Sequence, residues 1–98
     1  MAKLPFDFAP KALADLHHIM AYTLETWGEE QSIAYAERLD QAFGLLCEFP
    51  SAGRKDNRLK RGQRLYRAGS HKIIYKVRNG KLEIIRILHE NMDLTKHL

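Results

Sequence analysis

Two apolar stripes separated by a single glycine constrain the fold of this 98-residue chain most strongly. The first stripe recurs every three or four residues and predicts an amphipathic helix over residues 10–27. The second predicts a helix over residues 29–49, which Pro50 stops. Because only Gly28 lies between them, we expect an antiparallel helical hairpin. The stripes consist of Leu13, Leu16, Met20, Leu24 and Trp27 in the first helix and of Ala36, Leu39, Phe43 and Leu46 in the second.

Extended segments are predicted on both sides of the hairpin. Alternating apolar residues predict a short strand over residues 3–8 and three further strands over residues 64–69, 71–78 and 81–89. The dipeptide Asn79-Gly80 is typical of a two-residue β-hairpin turn between the last two. The final strand is apolar on both faces and is therefore predicted to lie centrally in the sheet.

The element order β-α-α-β-β-β predicts one domain over residues 1–98 with a two-layer α+β fold, in which the helical hairpin packs on a small antiparallel sheet. Residues 51–63 are rich in glycine and basic side chains and are predicted to form a solvated loop, and residues 93–98 a short tail. No apolar run approaches the roughly 20 residues needed to cross a bilayer. A single cysteine, Cys47, fits a reducing compartment, so we expect a cytoplasmic protein.

Charge is distributed unevenly along the chain. Residues 1–50 contain three Lys or Arg against eight acids, and residues 51–98 contain 13 against four, so the halves carry −5 and +9. The second half is expected to attract an anionic partner, whether nucleic acid, an acidic protein tail or an acidic groove. A solvated basic face without a ligand is the alternative.

Strand alternation divides these charges between two faces of the sheet. One face of the last two strands is predicted to meet the helices, and the other carries several cations. Arg86, in a central strand, is expected to meet a carboxylate, the chain terminus or a ligand, because a buried unpaired charge is costly. If Arg86 shares the basic face, that face could bind RNA or an acidic segment of a partner. The alternative is a solvated surface without a ligand. The basic set is Lys72, Ile74, Lys76 and Arg78, opposite His71, Ile73, Tyr75 and Val77; strict alternation places Leu82, Ile84, Arg86 and Leu88 together.

Motifs for catalysis or cofactor binding are sparse. The sequence contains no Gly-rich phosphate loop, no paired-cysteine zinc pattern and no Gly-x-Ser-x-Gly elbow. His17 and His18 point about 100° apart on a helix, which is unsuitable for one metal ion. His71, His89 and His97 could converge, and one of them could act as a general acid or base. A hydrogen bond that closes the last strand is the favoured interpretation of His89, and neither a metal nor a cofactor is predicted.

Six groups of residues, taken in order and with their spacing, cover nearly the whole chain. They are Ala14-Asp15-Leu16 followed by Ile19 and Tyr22, Trp27-Gly28, Ala34 to Leu46, Phe49-Pro50-x-x-Gly53-Arg54, Arg67-x-Gly69-x-His71-x-Ile73-x-Tyr75 and Ile84-Ile85-Arg86-Ile87-Leu88-His89-x-x-Met92-Asp93. Together with the element order, they resemble the ParE branch of the RelE/ParE superfamily of bacterial toxin–antitoxin systems.

The resemblance implies a toxin without catalytic activity that a ParD-like antitoxin neutralises in a heteromeric complex, a heterotetramer or larger. It also implies that the free toxin inhibits DNA gyrase and so replication, and that it meets operator DNA only indirectly, through the antitoxin. Combined with the stripes and the basic face, it predicts which residues bind each partner. The antitoxin-binding residues are Leu13, Leu16, Met20, Leu24, Leu39, Phe43, Arg67, Lys72 and Arg78, and the target-binding residues are Arg86, His89, Asn91 and Met92.

A RelE-like, ribosome-dependent mRNA endoribonuclease is the alternative function. Lys72, Arg86 and His89 would then serve as phosphate-binding or proton-transfer groups. The sequence departs from that branch because the strand before His71 lacks its alternating lysines. Asn91 also stands where many ParE relatives carry Arg. A third interpretation is an inactive member of the family, whose expression harms nothing.

Overall fold

The computed structural model describes residues 3–98 and shows a helical hairpin packed on a four-stranded sheet. The predicted α+β fold and element order are confirmed. Two elements end one residue earlier than predicted, and the first strand is shorter. The elements are β1 (Phe6–Phe8), α1 (Pro10–Trp27), α2 (Glu29–Glu48), β2 (Arg64–Ala68), β3 (His71–Arg78), β4 (Lys81–His89) and α3 (Leu94–His97).

The sheet has the order β1-β4-β3-β2, so β4 is central, as predicted. Strands β2, β3 and β4 are antiparallel, and Asn79 and Gly80 both have positive φ (54° and 70°) in the turn between the last two. The short β1 pairs with β4 in parallel, with Phe6 opposite Leu82. The sheet is therefore mixed rather than wholly antiparallel. Alternation along a strand carries no information about the direction of its neighbour, which is why the sequence did not predict this.

A β-bulge in β4 changes which residues share a face. Ile74 lies opposite Arg86 and Tyr75 opposite Ile84, so Ile85 is an extra residue on β4. Ile84 and Ile87 consequently both face the helices, and the prediction of strict alternation along this strand is wrong at the bulge.

The main core lies between the hairpin and the sheet. Phe43 of α2 contacts both aromatic rings of β1, with ring centroids 5.7 Å from Phe6 and 5.3 Å from Phe8. Cys47 is buried in the same core. The other fully or nearly fully buried residues of this core include Ala12, Leu39, Leu46, Ile73, Tyr75, Leu82, Ile84 and Ile87.

A second, smaller apolar cluster covers the centre of the opposite face. Residues from the α2–β2 connection and from α3 pack there, so the prediction that this face is open and cationic is wrong at its centre. Single leucines in polar segments produce no periodic pattern, and the sequence therefore did not reveal this cover. The cluster consists of Leu65, Ile74, Leu88 and Leu94, with Leu59, Ile85 and Leu98 packed against it.

A half-buried ion pair fastens α1 to the sheet. Arg86 donates from Nε and Nη2 to the two carboxylate oxygens of Asp15, at 2.8 and 2.9 Å. The backbone N–H of Ile87 donates to the same carboxylate at 3.0 Å, and Arg86 Nη1 donates to the carbonyl of His97 at 2.8 Å. The expectation that Arg86 meets a carboxylate is confirmed. The pairing of β1 with β4 ends at Ile84, so the Asp15 carboxylate accepts the N–H of Ile87, which has no neighbouring strand on that side among the described residues 3–98.

Within residues 3–98, neither long helix is sufficiently apolar over its length to cross a membrane.

Candidate partner-binding groove

An open groove of about 710 Å³ lies where the two long helices meet one end of β3 and β4. We call it the helix–sheet groove and define it by His18, Tyr22, Trp27, Tyr35, Arg38 and His89. Trp27 and Tyr22 keep 67% and 64% of their surface exposed. Large apolar side chains left uncovered beside a concave surface are typical of a site for a partner.

Tyr35 shapes the sheet end of the groove. Its hydroxyl hydrogen bonds with Nδ1 of His71 and accepts the N–H of Ser70 at 3.1 Å. A Cβ on Gly69 would lie 2.7 Å from the ring of Tyr35, and Gly69 has φ 59°. Both the missing side chain and the left-handed backbone therefore require glycine here.

Two histidines complete this end of the groove. The rings of His71 and His89 meet edge to face, with centroids 5.4 Å apart. Burial, and to a lesser extent the neighbouring His89, lower the pKa of His71 below its usual value. His89 Nδ1 accepts the N–H of Asn91 at 3.2 Å, which confirms the interpretation that it closes its strand by a hydrogen bond. His97 lies elsewhere, beside Arg86, so the three histidines do not converge.

The apolar residues of this chain that were predicted to bind an antitoxin differ in how deeply they are buried. Leu39 and Phe43 are only 1% and 3% exposed and lie in the intramolecular core, so they are corrected to core residues. Leu16 and Met20 pack against the same core and are half-buried. Leu13 and Leu24 are exposed and keep surface for a partner. An apolar stripe in the sequence identifies the side of a helix that faces the core. Which residues of the stripe stay exposed depends on how far the sheet extends beneath the helix.

The predicted cationic contacts lie along the strands, outside the groove. Arg67 of the edge strand β2 lies directly opposite Lys72 and 3.6 Å from Glu90. Arg78, near the β3–β4 turn, is exposed and lies 3.8 Å from Glu83. Arg38, the cation that does line the groove, was missed; its only signal was that it is the sole basic residue of α2.

The four predicted target-binding residues do not form one site. Arg86 uses its guanidinium on Asp15 and His97, and its side chain is 16% exposed, so it is corrected to a structural residue. His89 lines the groove, and Asn91 and Met92 are exposed in the turn after β4.

The residues of the nuclease alternative are also separated. Lys72 pairs across the sheet with Leu88, and Arg86 with Ile74, which places both cations on the face opposite the helices. His89 is on the helix side, beside His71. The set Lys72, Arg86 and His89 is therefore not assembled in this structure.

Comparisons with known proteins agree with this fold. A family model described as the ParE toxin of the type II toxin–antitoxin system parDE matches residues 6–94. The chain is similar to Toxin ParE1 of Caulobacter vibrioides, with 37% identity over 96% of this chain and 97% of that protein. It is also similar to Toxin ParE1 of Mycobacterium tuberculosis, with 33% identity over 92% of this chain and 93% of that protein.

Two solved structures share the fold. A chain of the chromosomal ParDE toxin–antitoxin system from P. aeruginosa superimposes with a TM-score of 0.75, at 20% identity, over 89% of this chain and 96% of that one. A chain of the RelBE2 toxin–antitoxin complex from Mycobacterium tuberculosis gives a TM-score of 0.63, at 23% identity, over 90% of this chain and 99% of that one. The family match over residues 6–94, together with the identity to two ParE1 toxins, shows that this chain belongs to the ParE toxin family of type II toxin–antitoxin systems.

Proposed function

We propose that this chain is a non-enzymatic toxin that a ParD-like antitoxin neutralises and that, when free, inhibits DNA gyrase and so replication. The observation that carries the proposal is the match of the ParE family model over residues 6–94. The similar solved chains come from ParDE and RelBE systems, which supports an antitoxin as the partner. The proposed site of action is the cytoplasm.

The helix–sheet groove is the proposed centre of the antitoxin interface. An apolar side chain of the antitoxin would pack on Tyr22 and Trp27, which are uncovered in the free chain. An antitoxin carboxylate would pair with Arg38 at the same place. Buried aromatic anchors supply most of the affinity of such interfaces, whereas charges control the encounter rate and the choice of partner.

Outside the groove, the antitoxin chain would continue over the exposed Leu13 and Leu24 and along the cations Arg67, Lys72 and Arg78. Each of these cations is at least partly exposed. The antitoxin would also carry the sequence-specific contacts with operator DNA, in a complex of the heterotetramer class or larger.

Two features support a mechanism without catalysis. The cations and the histidine that a RelE-like nuclease would use lie on opposite faces of the sheet. Arg86 is held by Asp15 rather than being directed to a substrate. A toxin of this kind would act by occupying a surface of its target.

A binding experiment tests the antitoxin part of the proposal. Trp27→Ala and Arg38→Glu are expected to weaken binding of the ParD-like product of the neighbouring reading frame at least about 30-fold each, since truncated anchors cost about 2 kcal/mol or more. Phe49→Ala is the matched control, because Phe49 is an exposed aromatic residue outside the groove. Titration calorimetry with no heat for the unmodified chain, or equal losses for all three variants, would contradict the proposed interface.

A labelling experiment tests the cellular target. After induced expression, incorporation of labelled thymidine is expected to fall before incorporation of labelled amino acids. The opposite order, with mRNA cut in the ribosomal A site and no cuts by His89→Ala, would instead establish the nuclease alternative.

A further inference from the structure

The connection between α2 and β2 is long but held in place. It runs from residue 49 to residue 63, which is longer than most connections in compact domains, and long ordered connections are often functional. We call residues 51–63, which follow Pro50 and the exposed Phe49, the basic loop. The hydroxyl of Tyr75 accepts the N–H of Gly53 at 2.8 Å and donates to the carbonyl of Pro50 at 2.6 Å. Arg54 and Leu65 exchange two backbone hydrogen bonds of 2.8 and 2.9 Å. The loop therefore presents its side chains from a fixed backbone.

The single acid of the loop is neutralised within it. The Asp56 carboxylate accepts three hydrogen bonds, which are donated by the backbone N–H, Nε and Nη2 of Arg58. Its side chain is 8% exposed, and Arg58 holds the pKa of this carboxyl well below its usual value. The charged side chains that the loop exposes are therefore all cationic. The five basic residues of the loop, all exposed, are Arg54, Lys55, Arg58, Lys60 and Arg61.

The composition of this surface selects the class of ligand. No large exposed apolar side chain lies between residues 51 and 63, although several lie along the helices. A protein partner needs apolar anchors, and a single-stranded nucleic acid needs aromatic platforms for its bases. The phosphates of a duplex need only cations at suitable spacing.

We propose that the basic loop binds the phosphate backbone of duplex DNA, without reading its sequence, through Lys55, Lys60 and Arg61. These three cations form no ion pair within residues 3–98, whereas Arg54 and Arg58 both approach Asp56. The choice of DNA over RNA rests on the proposed function, because a toxin bound to gyrase lies beside the duplex that gyrase handles. Through this loop, the chain would bind the complex of gyrase with DNA more tightly than it binds gyrase alone.

Fluorescence anisotropy with a short labelled DNA duplex tests the proposal on the full-length chain. The triple variant Lys55→Ala, Lys60→Ala, Arg61→Ala is expected to bind at least about 10-fold more weakly at about 50 mM salt. Its dependence of log affinity on log salt, up to about 200 mM, should be shallower by about 2.7, since each lost phosphate contact contributes about 0.9. The control variant Arg67→Ala, Arg78→Ala, Lys81→Ala removes the same charge from the strands and should retain most of the binding.

Several outcomes would overturn the proposal. They are an equal loss in the control variant, no binding of duplex DNA at low salt, and tighter binding of single-stranded DNA, duplex RNA or polyglutamate than of duplex DNA. The loop variant should still bind the antitoxin as the unmodified chain does, which also shows that it is folded. Because gyrase is absent from the assay, failure here leaves gyrase inhibition untested and intact, and DNA binding by a chain that does not inhibit gyrase would contradict that function alone.

Discussion

Replacing Asp15 with alanine removes the partner of a half-buried cation. In the structure, the Asp15 carboxylate accepts two hydrogen bonds from Arg86 and one from the backbone of Ile87. The Asp15 and Arg86 side chains are only 14% and 16% exposed. Asp15→Ala therefore leaves a guanidinium partly desolvated and a strand N–H without an acceptor.

The magnitude follows from this geometry. Breaking a fully buried pair from one side costs about 3–5 kcal/mol, and the remaining access to water places this site at or below the lower end, at about 2–3 kcal/mol. A domain of this size has a total stability of about 5–15 kcal/mol. One kcal/mol corresponds to about 4–8 °C, so Tm should fall by about 8–24 °C.

Urea and thermal unfolding followed by circular dichroism measure the effect. Asp7→Ala is the matched control, because Asp7 and Lys81 form an ion pair at the same 2.8 Å distance but on the exposed surface. Its Tm should change by less than about 4 °C, because exposed ion pairs contribute little to stability. The double variant Asp15→Ala, Arg86→Met should recover part of the loss, since it removes the stranded charge. Equal effects for the buried and exposed pairs, or no recovery in the double variant, would refute the reasoning.

Three further predictions concern packing and pH. Gly53→Ala should destabilise the chain by about 1–3 kcal/mol in urea unfolding, because its Cβ would lie 2.5 Å from the hydroxyl of Tyr75; unchanged stability would contradict that contact. Leu39→Ala should lower the free energy of unfolding by about 2–5 kcal/mol. By contrast, Leu24→Ala should leave it nearly unchanged and weaken antitoxin binding in calorimetry; the reverse pattern would contradict the assigned burial. The pKa of His71 is lower in the folded chain than in the unfolded chain. Neutral His71 therefore contributes to the free energy of unfolding above about pH 6.5, and this contribution is lost as the pH falls through the pKa of the folded state. Urea unfolding at about pH 7.5 and about pH 5 should therefore show a smaller loss for His71→Asn than for the unmodified chain.

Local signals predicted most of the elements because each has a local cause. Gly28 separates the two helices, and its φ of 92° is one that few other residues adopt. Pro50 stops α2, and the hairpin turn at Asn79 and Gly80 requires two positive φ angles. These residues act on their immediate neighbours, so their effect is visible in the sequence.

The features that were not predicted depend on contacts between distant segments. The parallel pairing of β1 places Phe6 beside Leu82, and no pattern in either segment specifies it. The extra residue Ile85 changes the faces of β4, and because this strand is apolar on both faces, no break in the sequence pattern marks the bulge. Leu59 joins the second cluster only because the basic loop folds back on the sheet.

The candidate site was predicted in part for the same reason. The two helical stripes were recognised, but the structure was needed to separate their exposed members, such as Leu24 and Trp27, from the buried Leu39 and Phe43. Arg38 enters the groove because α2 passes the ends of β3 and β4, which only the tertiary fold determines. The pairing of Arg86 with a carboxylate was predicted from the cost of an isolated charge, but its partner was not.

Supercoiling of relaxed plasmid by purified gyrase tests the central claim most directly. The purified chain is expected to inhibit supercoiling, and a stoichiometric amount of its ParD-like antitoxin should restore it. The Trp27→Ala variant should still inhibit supercoiling at antitoxin concentrations that abolish inhibition by the unmodified chain. Normal supercoiling at a large excess of the purified, folded chain would contradict the account.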